Sequence, residues 1–279
     1  MFIPEVRTSD ALIREINETR VPYGTLAIWF LGQMSVVVKG DDTIVYIDPY
    51  LADAPYRRFA PPFRPEEAVN ADCVLITHEH IDHLDPDTIP AMAGNNNETV
   101  FVAPGCCQNA LAELGVQSDR RVPAKTGDWQ QLNKLRYKPI PAAHEELEYD
   151  PELDHRFVGY MIQLNGVTLY HAGDTTIYSG LLDTVQAEKV DCALLPINGR
   201  DPFRLARGIV GNMSFREAAE LAVSACIDTV IPMHYDMFEG NTEHPGYFVD
   251  YLYTNYPTQK SHVMARFERY VYVSARAFK

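Results

Sequence analysis

A chain of 279 residues is long enough for one large domain or two small ones, and 46% hydrophobic residues suffice for a sizeable core. The 24 basic side chains face 38 acidic ones, and a formal charge of −14 repels a phosphate backbone, which disfavours nucleic acid as a general partner. The longest apolar stretches, such as Thr25 to Leu31 and Cys73 to Thr77, are too short to span a bilayer.

Met1 to Arg20 is mixed and charged, without the apolar stretch of a secretory signal. Strand-like runs then come early: TLAIWF, SVVVK and TIVYID, with Gly32 and Gly40-Asp41-Asp42 as turns between them. Past a proline-rich loop around Pro61 and Pro62, DCVLIT at 72–77 predicts a short buried strand that ends directly in a histidine cluster. A helix near Asp87 to Ala93, a strand at TVFVAP and a helix from Cys107 to Leu114 follow. The second half alternates in the same way. Strand signals lie at LRYKPIPA, FVGYMIQL and VTLYHAG, with Asn165-Gly166 a strong hairpin turn. CALLPI and TVIPM are separated by a helix that starts at a Ser214 cap with Glu217 three residues on. A helix across Tyr247 to Asn255 and an alternating strand in the tail HVMARFERYVYVSA complete the chain. Two comparable halves without a linker predict two sheets face to face, helices outside, in one domain spanning 1–279. Five cysteines at irregular spacing form no disulfide framework, so free thiols in a reducing cytoplasm are expected. Cys106 and Cys107 sit in a loop entering a helix.

The segment THEHIDHLD carries His78, His80, Asp82 and His83 at H-x-H-x-D-H spacing. A single histidine is usually a surface or satisfied core residue. Here four ligand-type side chains fall within six residues, just after an apolar strand. Such a loop can turn His78 and His80 toward one ion and Asp82 and His83 toward another. Two ions ~3.5–4 Å apart clamp a bridging water and polarise a substrate oxygen. Each ion still lacks partners, and divalent metals take imidazole and carboxylate. Three isolated polar groups directly follow apolar runs: His144 after KPIPAA, Asp174 after VTLYHAG and His234 after TVIPM. Glu145 and Glu146 stand as substitutes for His144. His171 reads as a core residue or one that supports a ligand. His155, His244 and His262 read as surface or packing residues, with His244 in a loop that could reach the rim.

H-x-H-x-D-H, a strand-end His, H-x-G-D and P-x-H, in that order, resemble the metallo-β-lactamase superfamily from Trp29 to about Tyr247. The resemblance implies an α+β fold, the four-layer αββα sandwich, with metals at one edge of the two sheets. Carried onto this sequence, His78, His80 and His144 hold the first ion, Asp82, His83 and His234 the second, and Asp174 bridges them. IWFLGQMSVVVKGDDTIVYIDPY, the GDW at Gly127 to Trp129 and LLPINGRDPFRLARGIVGNMS are similar to the ascorbate-6-phosphate lactonase group. Members of that group open a phosphorylated sugar lactone with a bound Mn²⁺ or Zn²⁺. Asp48, in IDPY, resembles the carboxylate that orients a metal-bound histidine.

The expected activity is hydrolysis of an ester, foremost a lactone, at two divalent ions, Mn²⁺ or Zn²⁺, with Fe²⁺ as credible in a site without cysteine ligands. The ions bring water toward a pKa of ~7, one stabilises the oxyanion, and Asp82 passes the proton to the leaving alkoxide. The same ligands would serve a phosphodiesterase or nuclease, which the charge disfavours except on small phosphodiesters. A non-catalytic metal-binding protein is the remaining alternative, opposed by the complete ligand set. His80 stands where a flavodiiron oxygen reductase carries glutamate. Arg200, Arg204 and Arg207 lie within eight residues of an otherwise acidic chain, after CALLPI. Guanidinium suits oxyanion capture, so Arg200, nearest the strand end, is expected to bind an anionic group of a small-molecule substrate. Whether the chain forms homo-oligomers is left open by the sequence.

Overall fold

Strands that are apolar on both faces need cover on both sides. In β1 (Thr25–Gly32), Leu26, Ile28 and Phe30 join one core, while Ala27, Trp29 and Leu31 join another. The computed structural model describes residues 9–279, so the start of the charged segment at Met1 lies outside the described residues. The first half runs α1 (Ser9–Glu18), β1, β2 (Ser35–Gly40), β3 (Thr43–Ile47), β4 (Cys73–Leu75), α2 (Thr88–Asn95), β5 (Val100–Pro104), α3 (Gln108–Glu113) and β6 (Arg121–Ala124). Next come β7 (Gln130–Leu132), β8 (Leu135–Pro141), the ribbon of β9 (Tyr149–Asp150) and β10 (Asp154–His155), β11 (Val158–Leu164) and β12 (Val167–His171). The chain closes with α4 (Leu181–Ala187), β13 (Cys192–Pro196), α5 (Pro202–Leu205), α6 (Phe215–Ser224), β14 (Thr229–Met233), α7 (Pro245–Asn255), β15 (Lys260–Ser261) and β16 (Arg269–Val273).

One seven-stranded sheet has the order β16-β1-β2-β3-β4-β5-β6, and the other β15-β14-β13-β12-β11-β8-β7. Both follow one plan. Antiparallel neighbours run from β16 to β3 and from β7 to β12. Parallel strands then extend each sheet, β4 to β6 in the first and β13 to β15 in the second. Between the sheets, Ile28 and Phe30 meet a layer that includes Tyr160, Ile162, Leu194 and Ile231. Behind the first sheet, Trp29, Tyr46 and Phe101 pack with Leu12 and Ile16 of α1 and Ile89 of α2. Behind the second, Tyr170 and Leu195 pack with Val185 of α4, Leu221 of α6 and Phe248 of α7. The layers are α, β, β and α, the sandwich expected from the sequence. Trp29 is fully buried, so its truncation to alanine costs about 3–5 kcal/mol.

Local chemistry explains the turns. Asn165 and Gly166 both take positive φ, 52° and 79°, as a two-residue hairpin turn requires. Ser214 and Glu217 form the capping box of α6. The tail differs from the single expected strand. Glu268 accepts the Ala265 amide at 2.7 Å and Phe267 takes φ 62°, so the chain turns and crosses from one sheet to the other. Helix α1 was not expected; Leu12 and Ile16, one turn apart, are its buried face. No helix among the described residues is long and apolar enough to cross a membrane.

Candidate metal centre

Every expected ligand follows a strand, the H-x-H-x-D-H loop after β4, His144 after β8, Asp174 after β12 and His234 directly after β14, and so does Asp48, the expected support of a ligand, directly after β3. The carboxyl ends of strands are where open α/β sheets leave room for a ligand. His78, His80 and His144 bring donor atoms within 4.8 Å of one another. Asp82, His83 and His234 form a second such group, and His78, His83 and Asp174 a third. Asp174 Oδ2 lies 3.1 Å from His234 Nε2 and its Oδ1 3.5 Å from His83 Nε2, both of the second group, and the third group joins it to His78 of the first. Asp82 Oδ2 stands 3.6 Å from His83 Nε2. Glu145 and Glu146, the substitutes for His144, are exposed.

Buried polar atoms nearly always have partners. Here His78 Nε2, His83 Nε2, His144 Nδ1, His234 Nδ1 and Asp174 Oδ1 are buried without one. Imidazole nitrogen and carboxylate oxygen are the donors that divalent cations take, so the residues fit a metal. The network around Asp48 assigns two tautomers. This fully buried carboxylate accepts the Thr77 amide at 2.8 Å, the Thr77 hydroxyl at 2.7 Å and His83 Nδ1 at 2.7 Å. Having donated to Asp48, the Thr77 hydroxyl accepts from His78 Nδ1 at 3.0 Å. With Nδ1 the donor in both rings, Nε2 is the nitrogen that His78 and His83 have left to offer a cation.

The two sides differ in charge. Burial pushes His78 well below the ordinary histidine range, helped by His83 beside it. Burial likewise brings His144 down to about 4. It acts in the same sense on His83, but the carboxylates of Asp174, Asp82 and Asp48 outweigh it and hold that ring well above the usual value. His234 is raised as well, burial being overcome by Asp174. Burial would raise Asp174, yet His234 and His83 hold its carboxyl well below the carboxylate range. Neutral imidazoles therefore face a cluster of carboxylates and imidazoles in mutual contact.

Residues 43–235 match the Beta-lactamase superfamily domain. The chain belongs to the metallo-β-lactamase superfamily. By family, fold and donor set it is a metal-dependent hydrolase. A UPF0173 metal-dependent hydrolase of Pyrococcus furiosus is 30% identical over 213 residues, 75% of this chain and 84% of the relative. A protein of Escherichia fergusonii named probable L-ascorbate-6-phosphate lactonase is 26% identical over 267 residues, covering 81% of this chain and 74% of that one. The solved structure of Igni18, a metallo hydrolase of Ignicoccus hospitalis, aligns with a TM-score of 0.70 at 23% identity, over 89% of this chain and 98% of that one. At that identity it speaks for the superfamily fold alone.

Within this superfamily site, several side chains had no part in the sequence pattern. Gln33, buried at φ 58° between β1 and β2, places its amide nitrogen 3.3 Å from Asp82 Oδ2 and 3.1 Å from His234 Nε2. Its backbone carbonyl accepts the His234 amide at 3.0 Å. Asp85 is fully buried and accepts the amides of Leu51 and Ala52 at 3.2 and 2.9 Å, tying the turn after β3 to the histidine loop. The available signals were a polar residue in a turn between two apolar strands, and a carboxylate two residues past His83. Gly173, at φ 61°, lets the chain pass close: a Cβ there would lie 2.7 Å from the Val158 carbonyl oxygen.

Arg200 differs from expectation. Its two terminal nitrogens each donate to Glu217 at 2.7 Å, and one also reaches the Asn212 carbonyl at 3.1 Å, so the guanidinium is tied to the cap of α6 rather than free for an anion. Arg204 is bonded to Asp201 and the Asn198 carbonyl. His171 is a core residue, its Nε2 2.8 Å from the Met34 carbonyl. His155 pairs with Asp154 and His262 with Glu268. All five cysteines are free thiols; Cys106 is half-buried and Cys226 exposed.

Proposed function

We propose that the chain is a single-domain, dinuclear hydrolase that opens a lactone ring in a small anionic substrate. The observation that carries this reading is the set of five buried donor atoms without a hydrogen bond, two imidazole nitrogens in each ligand group and one oxygen of Asp174, which groups with His78 of one and His83 of the other. His78, His80 and His144 would hold one divalent ion, and Asp82, His83 and His234 the other. When bound, such a pair supplies Lewis acidity toward a carbonyl oxygen and makes water a stronger acid. Neither group contains cysteine, so Mn²⁺, Fe²⁺ and Zn²⁺ all suit.

The chain's own residues do the rest. Asp48 and Thr77 hold the rings of His83 and His78 by their Nδ1 atoms, so that Nε2 is the nitrogen each would offer an ion. Burial excludes bulk water from His83 and Asp174, whose side chains are 0% and 5% exposed. Asp82 is 15% exposed and lines the adjoining cavity. Asp82 would carry a proton from the attacking water to the leaving alkoxide, and its bond from Gln33 supports that role. The relative named as a probable lactonase supports a lactone over other esters. The free thiols suit a reducing cytoplasm.

Metal analysis of the purified protein, joined to a panel of lactones and phosphodiesters, tests the reading. The expected result is up to two divalent ions per chain and lactone hydrolysis that is lost in chelator and restored by metal. Full activity in metal-free protein, or turnover of phosphodiesters with lactones untouched, overturns it.

A further inference from the structure

A cavity of about 510 Å³ opens beside Asp82. Its walls are two loops, and each continues from a strand end that serves the metal centre. Pro55 to Arg58 follows the turn that begins at Asp48, and Phe238 and Glu239 come shortly after His234. The loops are fastened together: Arg57 and Phe238 form a β-bridge, and the Arg58 amide donates to the Met237 carbonyl at 2.9 Å. Ile81, inside the histidine motif itself, lines the same space.

Among the described residues, the lining pairs apolar surface with one cation that has neither an ion pair nor a side-chain hydrogen bond. Tyr56 and Ile81 are 52% and 51% exposed, and the Tyr56 ring lies 5.9 Å from that of Phe238. Single exposed apolar side chains are ordinary, but two of them, lining one cavity with the half-buried Phe238 beside a reacting carboxylate, mark a ligand surface. Arg57 belongs to the wall, because it donates to the carbonyls of Tyr50, Ala52 and Phe59 and stacks 4.7 Å above the Tyr50 ring. Arg58 is exposed, and among the described residues its guanidinium has neither an ion pair nor a side-chain hydrogen bond. Arg200, by contrast, already holds Glu217. A neighbouring cavity of about 580 Å³ shares Arg58 and Glu239 but adds Asp236 and Glu243, so its lining repels anions. On the Asp82 side the acidic lining residues are only Asp82, itself a candidate ligand, and Glu239.

We propose that this cavity receives the body of the substrate and that Arg58 binds its anionic group. Resting on the hydrolase reading above, this narrows the substrate to an ester or lactone with a hydrocarbon face for Tyr56 and Phe238 and an oxyanion within reach of Arg58. A guanidinium fork matches carboxylate and phosphate alike. Arg58 is a specificity residue and takes no part in bond cleavage.

The test uses the metal-loaded protein and two γ-lactones that differ only in a carboxylate or a carboxamide substituent. Arg58→Ala is expected to raise KM for the carboxylate lactone by about ten- to a hundredfold, the loss of one charged hydrogen-bonded contact. The carboxamide should change by less than about twofold, and Arg58→Lys should recover part of the loss. Equal effects on both lactones, or none on either, overturn the proposal. Calorimetry with the matching cyclopentanone carboxylate and carboxamide, which cannot be opened by hydrolysis, separates the two readings. If the wild type opens neither lactone, the lactone reading fails. A carboxylate preference in binding that disappears in Arg58→Ala then still upholds the subsite. Equal affinity for the two ketones, or no binding of either at millimolar concentration, refutes it.

Discussion

Replacing Asp48 by asparagine changes one atom of a fully buried side chain and puts three hydrogen bonds in conflict. Oδ1 accepts the Thr77 amide, while Oδ2 accepts both the Thr77 hydroxyl and His83 Nδ1. An amide has one accepting oxygen. If that oxygen takes the Oδ2 place, its NH₂ meets the Thr77 N–H, donor against donor. If it takes the Oδ1 place, the NH₂ faces His83 Nδ1, and the ring must move its proton to Nε2, the atom a metal needs. Either arrangement leaves a buried donor without an acceptor or blocks a ligand, at about 1–3 kcal/mol. Outer partners of this kind change metal affinity by roughly ten- to a hundredfold. Calorimetric titration of Zn²⁺ or Mn²⁺ into chelator-stripped Asp48→Asn should show that loss at one of two sites. The variant should remain folded by circular dichroism. Wild-type affinity at both sites would mean that Asp48 does not set which His83 nitrogen faces the ion, and the assignment of Nε2 to that role would fall with it.

Asp174→Asn removes the charge lying between His83 and His234; metal content should drop, chiefly by one ion, and turnover by orders of magnitude. Unchanged stoichiometry and rate would show that Asp174 does not bridge. Arg200→Ala should destabilise the fold by about 0.5–1 kcal/mol at neutral pH, a value reduced because Arg200 is 45% exposed, and lower Tm by about 1–4 °C. Burial would raise the Glu217 carboxyl, but Arg200 and Ser214 hold it below the usual range. A depressed carboxylate stabilises above its unfolded value of about 4.3 and stops doing so as pH falls through the folded value. The difference in Tm between wild type and variant should therefore close in strong acid. A gap of the same size at pH 7 and in strong acid would refute the ion pair as its source.

The strand ends were legible because each candidate ligand is a polar residue set directly after an apolar run, and burial on both sheet faces forces such runs to be apolar throughout. What stayed hidden depends on pairing across distance. Arg200 and Glu217 were both singled out, one as an anion binder and one as a cap, yet nothing in the order of residues says that they bond to each other. Gln33 reaches Asp82 and His234 only because its backbone takes φ 58°, a turn geometry without a periodic signature. Arg58 lies in an irregular stretch, where neither period two nor period 3.6 assigns a face. The crossing of the tail between sheets is likewise a matter of topology, since β15 and β16 are both strands wherever they pair.

Neither candidate ligand group belongs to one half of the molecule. His78 and His80 wait for His144, and Asp82 and His83 wait for His234, across the seam between the sheets. Ions held there would recognise only the closed sandwich and have no comparable site on the unfolded chain. Bound at a hundred times its dissociation constant, each would add about 2.7 kcal/mol to the folded state by mass action. Scarcity of metal would then shorten the lifetime of the folded chain as well as slow its turnover, and resistance to proteolysis should rise with the metal supply.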